Sequence, residues 1–166
     1  MTIAAILQVV GYLLLLMILH ETGHVIFAKT TCLSIHQVGF QLKPYPHFFV
    51  AVEWPKSQIK SLFYLFSGTF VTIILFIIAY IYHWFGTQYL YYAFVIQLII
   101  ETNPFYSDFT IAVITKNEFN SNKAVIFADL YMERFLRYQY TFKWYLHFLF
   151  WIIFIIILIK YNLFYK

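Results

Sequence analysis

Charged residues are scarce in this chain. Asp, Glu, Lys and Arg make up only 11% of its 166 residues, whereas hydrophobic residues make up 63%. Soluble proteins carry roughly 25% charged residues, and a soluble domain of the present composition would expose large apolar patches and aggregate. The composition therefore excludes an ordinary soluble protein and predicts one compact domain, residues 1–166, embedded in a lipid bilayer.

Three other features are missing. The single cysteine, Cys32, has no partner for an internal disulfide. The net charge of +4 is not gathered into a basic cluster, which argues against nucleic acid as a partner. Neither Lys nor Arg precedes the first apolar run, and no small-residue cleavage pattern follows it. We therefore expect that run to remain in the mature protein rather than to be removed as a signal peptide.

Long apolar runs are abundant instead. A helix needs about 20 apolar residues to cross the hydrocarbon core of a bilayer. The sequence predicts an all-α membrane protein with about four transmembrane helices, over residues 3–28, 62–82, 88–114 and 144–159. The third run contains Pro104, which breaks its helix.

The distribution of Lys and Arg predicts how these helices are oriented. The segments after the first and the third helix contain every basic residue except Lys160 and Lys166. Because the cytoplasmic loops of membrane proteins are enriched in Lys and Arg, both segments are expected in the cytoplasm and both termini outside.

The two basic segments have different patterns. Apolar and polar residues alternate over 35–54, around a turn-forming stretch at 43–46, which predicts a β-hairpin near the membrane surface between the first two helices. Residues 123–138 are amphipathic, with Glu133 and Arg137 at i,i+4 spacing, which predicts a helix that lies on the membrane interface.

The first predicted helix contains the motif His20-Glu21-Thr22-Gly23-His24. On a helix, the two histidines project from one face and can bind one zinc ion, while Glu21 beside them can take a proton from the zinc-activated water. Ionisable groups inside a membrane helix are costly and by default mark a functional site. A polar cluster that holds helices together is the structural alternative.

A catalytic zinc ion needs a third protein ligand and an open position for water. At 1.5 Å per residue, His20 lies about 25 Å and Asp108 about 30 Å along their helices from the outer surface. Asp108 is the only aspartate in a predicted membrane segment, and Pro104 breaks the helix just before it. Irregular backbone at this depth is tolerated only where it is buried in protein or lines a wet cavity. Asp108 is therefore the predicted third ligand, with a carboxylate facing cytoplasmic water as the alternative.

The order and content of these motifs resemble the site-2 protease family of intramembrane zinc metalloproteases, in a minimal form without a PDZ or CBS domain. The resemblance covers about residues 5–115. It is carried by His-Glu-x-x-His on the first helix and by the Asn-Pro-Phe-Tyr-Ser-Asp stretch at 103–108 on the third. Residues 67–72 stand where the family has a small-residue stretch, without its Pro and Asn, and the hairpin at 35–54 matches a family feature.

The resemblance implies an enzyme that hydrolyses peptide bonds of membrane-embedded or membrane-associated proteins and peptides. One zinc ion per chain would be held by His20, His24 and Asp108. Glu21 would be the general base, and the side chain of Asn103 would donate to the oxyanion. The expected location is a bacterial cell membrane, with the active site toward the cytoplasm.

Alternative functions and roles remain at this point. The chain could be a non-catalytic, metal-binding accessory subunit of a membrane peptide-export or signalling system. A different metalloprotease family would use a distal glutamate as its third ligand. For substrate binding, we hypothesise that residues 47–54 pair with an unwound substrate by strand addition. His147, in the fourth helix, is interpreted as a buried or interfacial histidine rather than a zinc ligand.

Overall fold

The structure is a computed structural model that describes residues 2–41, 47–53, 55, 57–86, 88–115 and 127–163. The chain divides into two compact units, Met1–Leu98 and Ile99–Lys166. A single functional domain over 1–166 stays a prediction.

The first unit contains two long helices connected through a β-hairpin. Its elements are α1 (Ile3–Thr30), β1 (Ile35–Gln41), β2 (His47–Val52), α2 (Gln58–Ile81), one turn of 3-10 helix (Trp84–Gly86) and α3 (Gln88–Glu101), which ends in the second unit. An apolar cluster connects the three helices and consists of Val9, Leu16, Ala79, Ala93 and Phe94.

Both ends of α1 are capped by local hydrogen bonds. The Thr2 hydroxyl accepts a hydrogen bond from the backbone N–H of Ala5 at 3.3 Å, which satisfies one of the free donors at the start of the helix. At the other end, Cys32 takes a left-handed conformation with a φ of 56°. The N–H of Leu33 then donates to the carbonyl of Ala28 at 2.8 Å, as in the caps that usually place glycine at the left-handed position.

Helices α1 and α2 approach each other closely at two glycines. A Cβ atom added at Gly23 would lie 2.7 Å from the Ser67 carbonyl oxygen, 2.9 Å from Cγ2 of Val71 and 3.1 Å from the Cα of Gly68. Real side chains do not approach so closely, so only glycine permits this backbone separation. Small residues at helix contacts are typical of membrane proteins.

The predicted hairpin is present. β1 and β2 are antiparallel, with Val38 opposite Val50 and Phe40 opposite Phe48. Side chains two residues apart share a face of a strand, so these four apolar residues lie on one side of the sheet. The predicted turn at 43–46 lies outside the described residues.

The second unit contains three further helices. They are α4 (Asp108–Thr115), α5 (Phe127–Tyr138) and α6 (Phe142–Leu163). α5 lies within the helix predicted over 123–138, and Arg137 pairs with Glu133 at 2.5 Å. The part before Phe127 lies outside the described residues, and the position of this helix at the membrane interface stays a prediction.

Three helices of the described chain are long and apolar enough to cross a membrane, namely Ile3–Thr30, Gln58–Ile81 and Phe142–Lys160. The mostly helical class and the small antiparallel sheet are confirmed, but the count of four spans is not. The predicted span over 88–114 is divided into α3 and α4 by the irregular segment 102–107. Pro104 lies in that segment and cannot donate a helical hydrogen bond, so neither helix reaches the length of a span.

Candidate metal centre

The two histidines of the α1 motif are buried side by side. His20 is 7% exposed and His24 is 5% exposed. Their Nε2 atoms lie 3.2 Å apart. Two nitrogens bound to one tetrahedral zinc ion at 2.0–2.1 Å would be roughly 3.3 Å apart. The pair therefore already has the spacing that a single bound metal ion requires.

The other ring nitrogen of His24 is held by α2. Its Nδ1 lies 2.8 Å from the backbone carbonyl oxygen of Tyr64 and 3.2 Å from the Ser67 hydroxyl. Because a carbonyl oxygen can only accept, Nδ1 carries the proton and Nε2 presents its lone pair. This is how metal-binding histidines are commonly oriented by a second partner.

Gly68 faces the two Nε2 atoms from α2. A Cβ at this position would lie 2.5 Å from Nε2 of His20 and 2.6 Å from Nε2 of His24. The helix backbone thus closes one side of the site without a side chain. The sequence matched residues 67–72 to the small-residue stretch of the family but did not identify Gly68 or Tyr64 as contacts of the histidines; the run of small residues Ser67-Gly68-Thr69 in an apolar helix was the available signal.

The remaining residues of the motif take different positions. Glu21 is half-buried beside the histidines, and Thr22 is exposed, with its hydroxyl donating to the Ile18 carbonyl at 2.8 Å. Gly23 makes the close contact with α2. The role of Glu21 as a general base stays a prediction.

In the second unit, the side chain of Asn103 organises the segment between α3 and α4. Its Oδ1 accepts from the backbone N–H groups of Phe105 at 2.9 Å and Tyr106 at 2.7 Å. Its Nδ2 donates to the carbonyl of Tyr106 at 3.0 Å and to that of Ile100. The Ile100 carbonyl would otherwise lack its helical partner, because that partner would be the nitrogen of Pro104.

These bonds bear on the predicted oxyanion role of Asn103. Both hydrogens of its amide are donated within the segment, so contact with an oxyanion would require one of them to leave its carbonyl. The oxyanion role stays a prediction, and the structure gives Asn103 a local structural role that the sequence did not indicate.

Asp108 is the first residue of α4. The hydroxyl of Ser107 accepts from the N–H of Thr110 at 3.2 Å, which makes Ser107 the N-terminal cap of the helix. The hydroxyls of Ser107 and Thr110 also donate to the Asn103 carbonyl at 2.6 Å and 3.0 Å. The half-buried Asp108 is therefore presented by a helix start that is fastened to the preceding segment.

Helix α6 supplies partners for two more carbonyls near the break. Nε2 of His147 lies 3.0 Å from the Thr102 oxygen, and Trp151 Nε1 donates to the Ile99 oxygen at 3.0 Å. The Tyr138 hydroxyl lies 3.2 Å from Nδ1 of His147, and burial raises the pKa of Tyr138. With both nitrogens engaged, His147 is a structural residue of the second unit.

Within the described part of the chain, His20 and His24 of the first unit and Asp108 of the second are side chains whose donor atoms could hold a metal ion. These are the three ligands predicted from the sequence. Two imidazole nitrogens and a carboxylate oxygen are donors that suit zinc, and three protein ligands are typical of catalytic zinc sites.

Comparison with known proteins adds nothing to this set of ligands. No protein-family model, no curated protein and no solved structure matches this chain. The resemblance to site-2 proteases therefore stays a prediction that rests on the motifs of the sequence.

Proposed function

We propose that this chain is an intramembrane zinc metalloprotease similar to the site-2 proteases. Its substrates would be membrane-embedded or membrane-associated proteins and peptides. The strongest support is the buried pair His20 and His24, whose Nε2 atoms lie 3.2 Å apart inside a helix apolar enough to cross a membrane. Burying such polar groups in a membrane helix is costly, and a metal site gives a reason for the cost.

The proposed chemistry assigns one task to each residue. His20, His24 and Asp108 would hold the metal and leave a fourth position open. Bound zinc would supply a Lewis acid that acidifies water and polarises the scissile carbonyl. Glu21 would take the proton of the attacking water and deliver it to the leaving amine.

The orientation of His24 supports this assignment. Its Nδ1 proton is donated to the Tyr64 carbonyl, so Nε2 is available as a neutral ligand. Gly68 keeps α2 close to the two Nε2 atoms without a side chain that would fill the ligand space.

We further propose a multi-pass protein of a bacterial cell membrane whose site opens toward the cytoplasm. The basic segments after the first and third predicted helices support this orientation. The bilayer and a membrane-bound peptide or protein are then its partners.

The Glu21→Gln variant tests the proposal. It should retain one zinc ion per chain, because Glu21 is not a ligand, and it should reduce cleavage of a membrane-anchored reporter by at least about 100-fold, because proton transfer is lost. Zinc would be measured by elemental analysis of the purified protein, and cleavage in reconstituted vesicles.

Glu133→Gln is the matched control, since Glu133 is an exposed carboxylate on α5 that pairs with Arg137 of the same helix. It should cleave as the wild type does. A Glu21→Gln variant with unchanged biological function would contradict the protease and favour the metal-binding accessory subunit.

A further inference from the structure

Tyr64 of α2 makes hydrogen bonds through both its backbone carbonyl and its side-chain hydroxyl. Its backbone carbonyl lies 2.8 Å from Nδ1 of His24, and its hydroxyl donates to the backbone carbonyl of Val50 in strand β2 at 2.5 Å. The residue is 6% exposed. Tyr64 thus connects the β-hairpin to His24, a proposed metal ligand.

The His24 end of this connection is tightly packed. The Tyr64 ring lies with its centroid 5.1 Å from that of the His24 ring. The Ser67 hydroxyl donates to the same Tyr64 carbonyl at 2.7 Å and lies 3.2 Å from Nδ1 of His24. One turn further along α2, Gly68 faces the Nε2 atoms. A shift of α2 at Tyr64 would therefore shift the acceptor that orients His24.

The other end holds strand β2. Val50 lies opposite Val38 in the two-stranded sheet, near the middle of β2. A carbonyl oxygen has two lone pairs, so the bond from Tyr64 leaves one for a further donor. A two-stranded sheet is only marginally stable by itself, so a bond from a buried tyrosine is a substantial restraint on the position of β2.

We propose that Tyr64 is a positioning residue that keeps strand β2 in a fixed position relative to His24. Building on the proposed function, it would align a substrate segment seated along β2 with the metal centre. Alignment matters because a displacement of about 1 Å can reduce the rate of a reaction about 100-fold. Tyr64 acts through its hydroxyl on β2 and through its backbone carbonyl on His24.

The Tyr64→Phe variant tests this role, because it removes the hydroxyl and keeps both the ring and the backbone carbonyl. Zinc content should stay at the wild-type level. Hydrogen–deuterium exchange of the β2 amides should become faster, and kcat for a membrane-anchored reporter should fall roughly tenfold to a hundredfold with little change in KM.

Two matched variants accompany it. Tyr82→Phe removes an exposed hydroxyl at the end of α2 and should leave exchange, zinc content and kcat unchanged. Ser67→Ala removes the second donor to the Tyr64 carbonyl but keeps the bond to Val50, so exchange in β2 should stay at the wild-type rate.

The outcomes separate the two proposals. Wild-type exchange in β2 or wild-type kcat in Tyr64→Phe would overturn the positioning role, and so would a variant that loses zinc together with its fold. If Glu21→Gln cleaves normally, the general-base role of Glu21 is wrong, and if the wild type does not cleave the reporter, the protease itself is wrong, whatever Tyr64→Phe does to exchange in β2. The hydrogen–deuterium exchange rate of the β2 amides does not depend on catalytic activity, so it decides by itself whether Tyr64 holds the strand.

Discussion

At the scale of single residues, Asn103 is the position where hydrogen bonding decides between two roles. Its amide makes four bonds with the backbone of the segment that precedes Asp108. An oxyanion donor would need a free N–H at the moment of reaction. A residue that shapes the segment instead acts before any substrate binds.

The Asn103→Ala variant distinguishes these roles. Loss of the four bonds should lower the free energy of unfolding by about 2–4 kcal/mol, and zinc content should fall because Asp108 is no longer well presented. Thermal denaturation in detergent and elemental analysis would measure both quantities.

Gln37→Ala, which removes an exposed amide from β1, should change neither quantity. If Asn103→Ala keeps its stability and its zinc and loses only kcat, the oxyanion role is the correct one.

At the scale of elements, the contact between α1 and α2 shapes the surroundings of His20 and His24, two of the proposed metal ligands. Gly23 and Gly68 allow the backbones to approach, and the Tyr64 carbonyl then reaches His24. Each of these interactions depends on the separation of two helices, which is set by the smallest residues at their contact.

The Gly68→Ala variant should therefore disrupt the metal centre. In an isolated helix this change would be stabilising by about 1 kcal/mol, but here the added Cβ would lie 2.5 Å from Nε2 of His20. We expect zinc affinity to fall about tenfold or more, as for other disturbances of the groups around metal ligands. Zinc titration of the purified protein would measure it.

Gly11→Ala in α1 is the control, because a Cβ there meets nothing within 4 Å. It should bind zinc as the wild type does. Wild-type zinc affinity in Gly68→Ala would show that the close approach of α2 at Gly68 does not restrict metal binding.

The segment between α3 and α4 is held by its own side chains and by α6. Asn103, His147 and Trp151 each supply a hydrogen bond to a carbonyl at or near the end of α3. In a membrane such carbonyls have no water to bond. The break therefore persists as an ordered structure around the start of α4.

At the scale of the whole molecule, the membrane orientation can be tested through the single cysteine. Cys32 is exposed and directly follows the C-terminal cap of α1. If the basic segment after the first helix is cytoplasmic, a membrane-impermeant maleimide should label Cys32 in inside-out vesicles and leave intact cells unlabelled.

Cys32→Ser should remain unlabelled in both preparations, which makes the signal specific to one residue. Labelling of intact cells would mean that the orientation is reversed and that the proposed site opens to the outside.

The sequence by itself determined what depends on local pattern. The period of a helix brings His20 and His24 to one face, apolar length predicts three of the helices, and alternation predicts the hairpin. Pro104 predicts a break in the third run. The lengths of α3 and α4 depend as well on the donors that bond carbonyls near the end of α3, which Asn103, His147 and Trp151 supply.

Only the tertiary structure decided what depends on the approach of distant segments. The Tyr64 carbonyl at His24, Gly68 against the Nε2 atoms and the Tyr64 hydroxyl on Val50 each join residues from separate elements. Neither hydropathy nor spacing along one helix predicts these contacts. They depend on the distance between the backbones of two separate elements and on which donors and acceptors that distance brings within bonding range.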